Sequence, residues 1–405
     1  MTITANLSAK IDNCIKEILP QLIEIRHDLH AHPELGYQET RTSELIKREL
    51  TADCVSFVGG LAGGTGVLGH IKGSGTEAVG LRADIDALPI TEVNTIDWKS
   101  LHEGCMHACG HDGHTTILIG AAKVLSSIAK KNELPNPVTF VFQPAEEGGA
   151  GGKRMVEDGC LDGSLIGSKV SVMYGLHGWP QARSNLVQTR VGPVLASDIG
   201  VNIKISGTGG HAAFPHFSHD PILCAANVIS SMQQIVSRNT DPLDSLVITL
   251  TQIHGGTTHN IIPSRVDITG TIRFLQESTG EMAKCRVKEI TESTANAHNC
   301  SAEVSLTHGY PVTRNDEHAV AQFFKIAKEV LPSGFVSEFP APVMGGEDFS
   351  YYCNEVPSCF FMLGLLPEGK DKMPSLHQPD FDFNDSVIET GIKMFCELAL
   401  RYNAS

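Results

Sequence analysis

The sequence predicts an α/β fold: a mostly parallel sheet with helices on both faces, interrupted by a smaller ferredoxin-like α+β unit. Three observations carry that expectation. Four short apolar runs, residues 78–81, 138–142, 170–174 and 359–363, each lead into a polar loop. A continuous apolar run marks a strand covered on both faces, and helical stretches between such runs indicate parallel connections. Between about Ala196 and Tyr310 the rhythm changes to strands that alternate apolar and polar side chains. At 405 residues the chain is too long for one ordinary core. The expected division is a first domain over 1–195, an inserted domain over 196–310, and a return to the first domain over 311–405.

Taken in order, the first element is an amphipathic helix over 11–30, with apolar side chains at Ile11, Ile15, Ile18, Leu22, Ile25 and Leu29. HAHPELGYQE follows, where Pro33 and Gly36 stop it, and Thr40 is expected to cap a second helix running to about Leu50. His30 and His32 beside the helix end read as packed or solvated residues rather than ligands. GTGVLG, residues 64–69, matches a dinucleotide fingerprint, with Asp84 and Asp86 downstream. That pattern requires a helix to open at the glycines. Residues 67–75 read instead as a strand and a glycine turn, which excludes the nucleotide reading. An alanine-rich helix is expected over 115–130. The inserted region reads as a strand around VNIKI (201–205), a helix over 221–238, strands over 246–253 and 265–274, a helix over 281–298 and a strand over 302–307. Strand-helix-strand-strand-helix-strand is the ferredoxin-like order. Helices over 318–330 and 385–401 complete the first domain.

The net charge of −15 comes without a basic run, so no nucleic-acid partner is expected. No apolar run reaches membrane-spanning length, and the first ten residues lack the apolar core of a signal peptide. The eleven cysteines are odd in number and scattered, which points to reduced thiols and a cytoplasmic location.

The densest chemistry is CMHACGHDGH, residues 105–114, with three histidines, two cysteines and an aspartate among small residues. Small neighbours let the backbone approach an ion, and Cys and His bind zinc-like metals near neutral pH. Cys109 and His111 are spaced too tightly for one helical face, so a loop or strand end is expected there. The spacing matches no zinc finger. The alternative is a buried, histidine-rich helix start with no ion. Further donors lie after the apolar runs, at Glu146 and Glu147, at His177 and at His377. In parallel sheets, ligands gather beyond the carboxyl ends of the strands. Cys109, His111, Glu147, His177 and His377 make five donors, more than a closed structural zinc site holds. Two ions sharing a water fit better, and zinc, manganese, cobalt and nickel all suit such a mixture. On a loop, Glu147 can ligate while Glu146 faces the water as general base. A solvated acidic turn is the alternative for that pair.

RADIDALP (82–89), MHACGHDGH (106–114), QPAEEGGAGG (143–152), GLHGWP (175–180), SGTGGHAAFPH (206–216), HNIIPSR (259–265) and GGEDFSYY (345–352) resemble the two-metal amidohydrolase and exopeptidase family of aminoacylases and carboxypeptidases. The hippurate hydrolase, N-acyl-amino-acid hydrolase and auxin-conjugate hydrolase branch is the most similar part. The resemblance runs from about His27 to about His377. It implies a zinc-exopeptidase-like fold whose inserted domain is a lid and dimerisation domain. It also implies that Cys109, His111, Glu147, His177 and His377 bind two divalent metal ions, that Glu146 is the general base, and that Asp86 orients a metal ligand. Asp84 stands where the aminopeptidase and carboxypeptidase relatives have a ligand histidine, and Cys109 is peculiar to the acyl-amino-acid branch. Those departures favour N-acyl amino acids as substrates. His211 matches a histidine that reaches the partner's site in a homodimer, while Asn260 and Arg273 match groups that hold the substrate carboxylate.

The expected activity is therefore metal-dependent hydrolysis of the amide bond of a small N-acyl amino acid. A dipeptidase or an N-acetyl-diaminopimelate-type deacetylase is a variant of the same chemistry. A non-catalytic metal-binding module is the rival from another class, and it has no use for a carboxylate such as Glu146 facing the metal water. A cysteine hydrolase built on Cys109 with His107 or His111 would work without metal. No GxSxG elbow is present for a serine enzyme.

Overall fold

All seven residues of the strand Ala78–Asp84 and all six of Val138–Gln143 are buried, as a strand covered on both faces must be. The structure, a computed structural model, describes residues 3–130 and 134–403. The chain divides into two units. One runs to Val194, resumes over Arg314–Ala341 and continues from Asp348, and the other comprises Leu195–Thr313 and Pro342–Glu347.

The larger unit is built on an eight-stranded sheet. Its order is Ser56–Leu61, Gly66–Ile71, Val138–Gln143, Ala78–Asp84, Val170–Arg183, Ser358–Leu366, Val187–Thr189, Val336–Glu338. The central four, from Val138–Gln143 to Ser358–Leu366, run parallel. The hairpin of Ser56–Leu61 and Gly66–Ile71 joins them antiparallel, so the GxGxxG stretch is strand as expected. The helices Ile3–Ala31, His111–Ala129 and Ile388–Arg401 pack against one another. Their contact is close because a Cβ on Gly120 would stand 2.5 Å from Ile392. Seventeen of the nineteen residues of His111–Ala129 are buried, which explains its short side chains.

Several boundaries differ from expectation. The first helix spans Ile3–Ala31, longer than the apolar spacing marks. The second spans Thr40–Ala52, so Thr40 is its first residue rather than its cap, and the preceding Glu39 turns its side chain elsewhere. The strand expected to end at Tyr174 continues from Val170 to Arg183, so His177 lies within a strand and not in a loop. Gly175, where a loop was expected to begin, stays in the strand, and a Cβ there would meet the rings of Phe349 and Phe360 at 2.6 and 2.9 Å.

The other unit is a four-stranded antiparallel sheet in the order Leu246–Gly255, Arg265–Phe274, Ser197–Ser206, Ser301–His308. The helices Pro221–Gln234 and Glu277–Ala297 pack on it, which completes the ferredoxin-like order. Burial alternates along Ser197–Ser206, and Ile199, Val201, Ile203 and Ile205 join Val228, Met232, Ile268 and Ile272 in its core. Asp220 caps the first of these helices, accepting from the amides of Ile222 and Leu223, with Pro221 at the first helical position. That helix ends at Gln234, and Ile235–Asn239 forms a π turn where regular helix was expected. Among the described residues, no helix is long and apolar enough to cross a membrane.

Candidate metal centre

Ala78–Asp84 ends level with His177 on the neighbouring strand, since Arg82 pairs with Gly175. Val138–Gln143 ends on the same edge, where Asp84 pairs with Gln143. The fold therefore delivers Asp84, Asp86, Glu146, Glu147 and His177 to one rim of the sheet. His111 comes to that rim as the first residue of its helix, so the helix opens four residues earlier than predicted, two residues after Cys109. Gly110 caps it at φ +90°, and a Cβ on Gly113 would run into the Phe383 ring at 2.6 Å. The motif is thus a buried, histidine-rich helix start that also presents Cys109 and His111 to the rim.

The acidic pair occupies a broken turn. Ala145 stands at φ +51°, Glu147 leaves helical geometry at φ −72° and ψ 70°, and Gly148 follows at φ +86°. These angles aim adjacent glutamates at one place, which a regular helix or strand could not do. His377 arrives on the segment after the Ser358–Leu366 strand, and its Nε2 lies 3.1 Å from Glu147 Oε1.

Among the described residues, three of the groups of potential donor atoms, each within 4.8 Å, overlap through shared residues: Cys109, His111 and His177; Cys109, Glu147 and His377; His111, Glu146 and Glu147. Cys109 Sγ lies 3.3 Å from His177 Nε2. The sequence-predicted ligands Cys109, His111, Glu147, His177 and His377 thus converge, with Glu146 beside them. Asp86 touches two of them. Its Oδ1 is 3.2 Å from His111 Nδ1, and its Oδ2 accepts from the Glu147 amide at 3.0 Å.

The proton positions follow from the partners. His111 Nδ1 faces the Asp86 carbonyl at 2.9 Å and His177 Nδ1 faces the Gly178 carbonyl at 2.8 Å. Carbonyl oxygens only accept, so both Nδ1 atoms donate and both Nε2 atoms turn to the site. His111 Nε2 is buried with no hydrogen-bond partner in the structure. Burial, and then His114 beside it, hold the His177 imidazolium form well below the usual histidine range. Burial also pulls His111 down, but Asp84, Asp86 and Glu147 outweigh it and raise that imidazole to about 10. Burial pushes the Cys109 thiol well above its ordinary range, and Glu147, Glu146 and Asp84 add to the effect. A thiol, two imidazoles and several carboxylates out of water carry surplus negative charge that a divalent cation would offset. These residues fit a pair of such cations.

Other charged groups around the rim were not singled out from sequence. His114 lies within the ten-residue motif, but its Nδ1 is 2.7 Å from Asp84 Oδ1 and its Nε2 accepts from the Gly178 amide at 2.8 Å. It is a buried brace. Arg82 donates to Asp84, Gln143 and Asp348, which fall in the motifs RADIDALP, QPAEEGGAGG and GGEDFSYY without their pairing being readable there. His30, read as packed or solvated, is fully buried between Asp112 and Glu92.

The three residues assigned to substrate lie in the other unit. His211 is exposed on the strand Gly210–His211, paired with Ile261–Ile262, and its Nδ1 accepts from the Ala213 amide. Asn260, next to that pairing, is exposed and its carbonyl accepts from the Ala212 amide at 3.0 Å. Arg273 on Arg265–Phe274 donates to the Met344 carbonyl at 2.9 Å.

Comparison with known proteins gives concordant results. The model of peptidase family M20/M25/M40 matches residues 80–401. IAA-amino acid hydrolase ILR1-like 4 of Arabidopsis thaliana is 41% identical over 94% of this chain and 85% of its own length. N-acetyl-L-cysteine deacetylase of Bacillus subtilis is 38% identical over 91% of this chain and 85% of its own. Among solved structures, the Bacillus subtilis YXEP protein, a dinuclear metal binding peptidase, is 31% identical with a TM-score of 0.81. That match covers 95% of this chain and 98% of the other.

Proposed function

The chain belongs to the M20/M25/M40 peptidase family, and from that premise we propose that it hydrolyses the amide bond of N-acyl amino acids, releasing a carboxylic acid and a free amino acid. The observation that carries this reading is a carboxylate beyond the ligands. Glu146 is buried, with an oxygen within 4.8 Å of donor atoms of His111 and Glu147, beside a set that already offers five donors without it. A site that only stores metal needs no such group. Relatives named for an amino acid conjugate and for N-acetyl-L-cysteine support acylated amino acids as the substrate class.

Cys109, His111, Glu147, His177 and His377 would hold two divalent ions. Bound there, the ions would supply Lewis acidity, polarising the amide carbonyl and making water more acidic. The protein's own groups do the rest. Glu146 takes a proton from the attacking water on a carboxylate oxygen and returns it to the leaving nitrogen. Asp86 fixes the His111 ring and the Glu147 backbone together, and Gly178 fixes the His177 ring. Buried ligands turned by outer partners are the usual means of keeping such a site in register. His211, Asn260 and Arg273 are proposed to act on the substrate, His211 within a homodimer, and zinc, manganese, cobalt and nickel are the candidate ions.

The test is an assay of protein stripped of metal and reloaded with each ion. Hippurate, N-acetyl amino acids, indoleacetyl conjugates, N-acetyl-diaminopimelate and dipeptides would be offered in parallel. Metal-dependent release of free amino acid from the acylated substrates is expected. Cleavage of dipeptides alone, or full activity in protein shown by elemental analysis to be metal-free, would overturn the reading.

A further inference from the structure

The turn GYQE, residues 36–39, has no part in the chemistry above, yet it grips the segment that carries the acidic pair. Glu39 is fully buried. Its Oε1 accepts from the Ala145 amide at 2.8 Å and its Oε2 accepts from the Thr65 hydroxyl at 2.8 Å. Ala145 immediately precedes Glu146 and stands at φ +51°, a left-handed conformation that costs a residue with a Cβ about 1 kcal/mol or more. Such a conformation persists only where its surroundings fix it. The surroundings here are specific. A Cβ on Gly36 would stand 3.0 Å from the Ala145 Cβ, and one on Gly149 would stand 2.6 Å from it, so two glycines make room for that methyl. The Tyr37 hydroxyl donates to the Gly149 carbonyl on the far side of the acidic pair, and the Arg154 guanidinium covers the Tyr37 ring at 4.3 Å.

We propose that Glu39 is a positioning residue for Glu146, holding the Ala145 amide so that the next residue turns into the metal site. The inference rests on Glu146 as general base. Thr65 anchors the second oxygen, so the carboxylate cannot follow Ala145 if that residue relaxes. The role needs two hydrogen bonds at a fixed reach and not a charge. Glutamine meets that need, since its oxygen can accept from Ala145 while its NH2 donates to the Thr65 hydroxyl. Aspartate keeps the charge but is one methylene too short to hold both.

Glu39→Gln, Glu39→Asp and Glu39→Ala separate these cases. The Asp and Ala variants should lose roughly tenfold to a hundredfold in kcat, the scale of a misplaced catalytic group. KM should stay within about twofold of wild type, with bound metal and melting temperature retained, because binding is not what the contact serves. Glu39→Gln should recover kcat to within about threefold. In a Glu146→Gln background, Glu39→Asp should cost nothing more, because the group it positions is gone. Wild-type kcat in Glu39→Asp, or a loss that merely tracks bound metal, would overturn the proposal. So would a Gln variant as slow as the Asp variant. If Glu39→Ala does not fold, the Asp and Gln variants still decide. An active Glu146→Gln enzyme would defeat the general-base reading itself, whereas an inactive one beside a fully active Glu39→Asp would defeat only the role of Glu39.

Discussion

The backbone amide of His377 donates to the carbonyl of Ala108 at 2.8 Å, tying the last proposed ligand of the chain to the residue before the first. His377 stands at φ +63°, and its side chain is half exposed while Glu147, beside it, is mostly covered. The main chain therefore places this histidine, and the imidazole contributes little to the core. His377→Ala keeps the amide contact and removes one donor from the Cys109, Glu147 and His377 group. One of two bound metal equivalents should weaken, with stability changed by no more than about 0.5 kcal/mol. Elemental analysis after dialysis, with a melting curve, checks this. Two equivalents held as tightly as in wild type would remove His377 from the ligand set.

The adjacent glutamates should fail in different ways. Glu146→Gln keeps shape and deletes the proton acceptor, so turnover should fall by about a hundredfold or more with both metals bound. Glu147 lies against Cys109, His111 and His377, and Glu147→Gln should lose metal first. Metal titrations beside turnover distinguish the two. The opposite pattern would exchange their roles.

Asp86 serves two donors with two oxygens, the His111 ring on one and the Glu147 amide on the other. An asparagine has one oxygen and one NH2, so in either orientation it turns a donor toward a donor. Asp86→Asn should weaken metal binding by about 10–100-fold, as loss of an outer-layer partner does at other metal sites. Competition with a chelator of known affinity measures it. An unchanged affinity would mean that the Asp86 carbonyl, 2.9 Å from His111 Nδ1, suffices alone.

Sequence spacing revealed those parts of this site whose residues are close along the chain. CMHACGHDGH and the acidic pair carry their chemistry in a few positions, and VNIKI shows its sheet face by alternation. His177 was legible as a donor but not as a strand residue, because Gly175 makes room for the rings of Phe349 and Phe360 rather than opening a loop. The pairing of the buried charges Arg26, His30, Glu92 and Asp112 was not legible. Arg26 and His30 meet Asp112 only after the first helix packs against His111–Ala129, Glu92 comes from the loop before that helix, and no local pattern encodes those contacts.

That buried group gives a prediction about pH. His30 Nδ1 lies 2.9 Å from Asp112 Oδ2 and its Nε2 lies 3.2 Å from Glu92 Oε1, so each ring nitrogen donates to a carboxylate. Burial alone would lower its pKa, but the hydrogen bonds to Asp112 and Glu92 outweigh that and raise it to about 9. The folded protein therefore holds this proton more tightly than the unfolded chain, where a histidine titrates near 6.5. The resulting stability is fully present below about pH 6.5 and is lost as pH rises through about 9. Its size is on the order of 3 kcal/mol. Glutamine at this position cannot carry the charge, so the stability gap between wild type and His30→Gln should be widest at pH 6. It should narrow by roughly that amount at pH 10, since groups common to both proteins cancel. Urea unfolding of both in excess chelator, at those two pH values, makes the measurement without a metal contribution. A gap that is constant, or that widens in alkali, would mean that His30 is neutral in the folded protein.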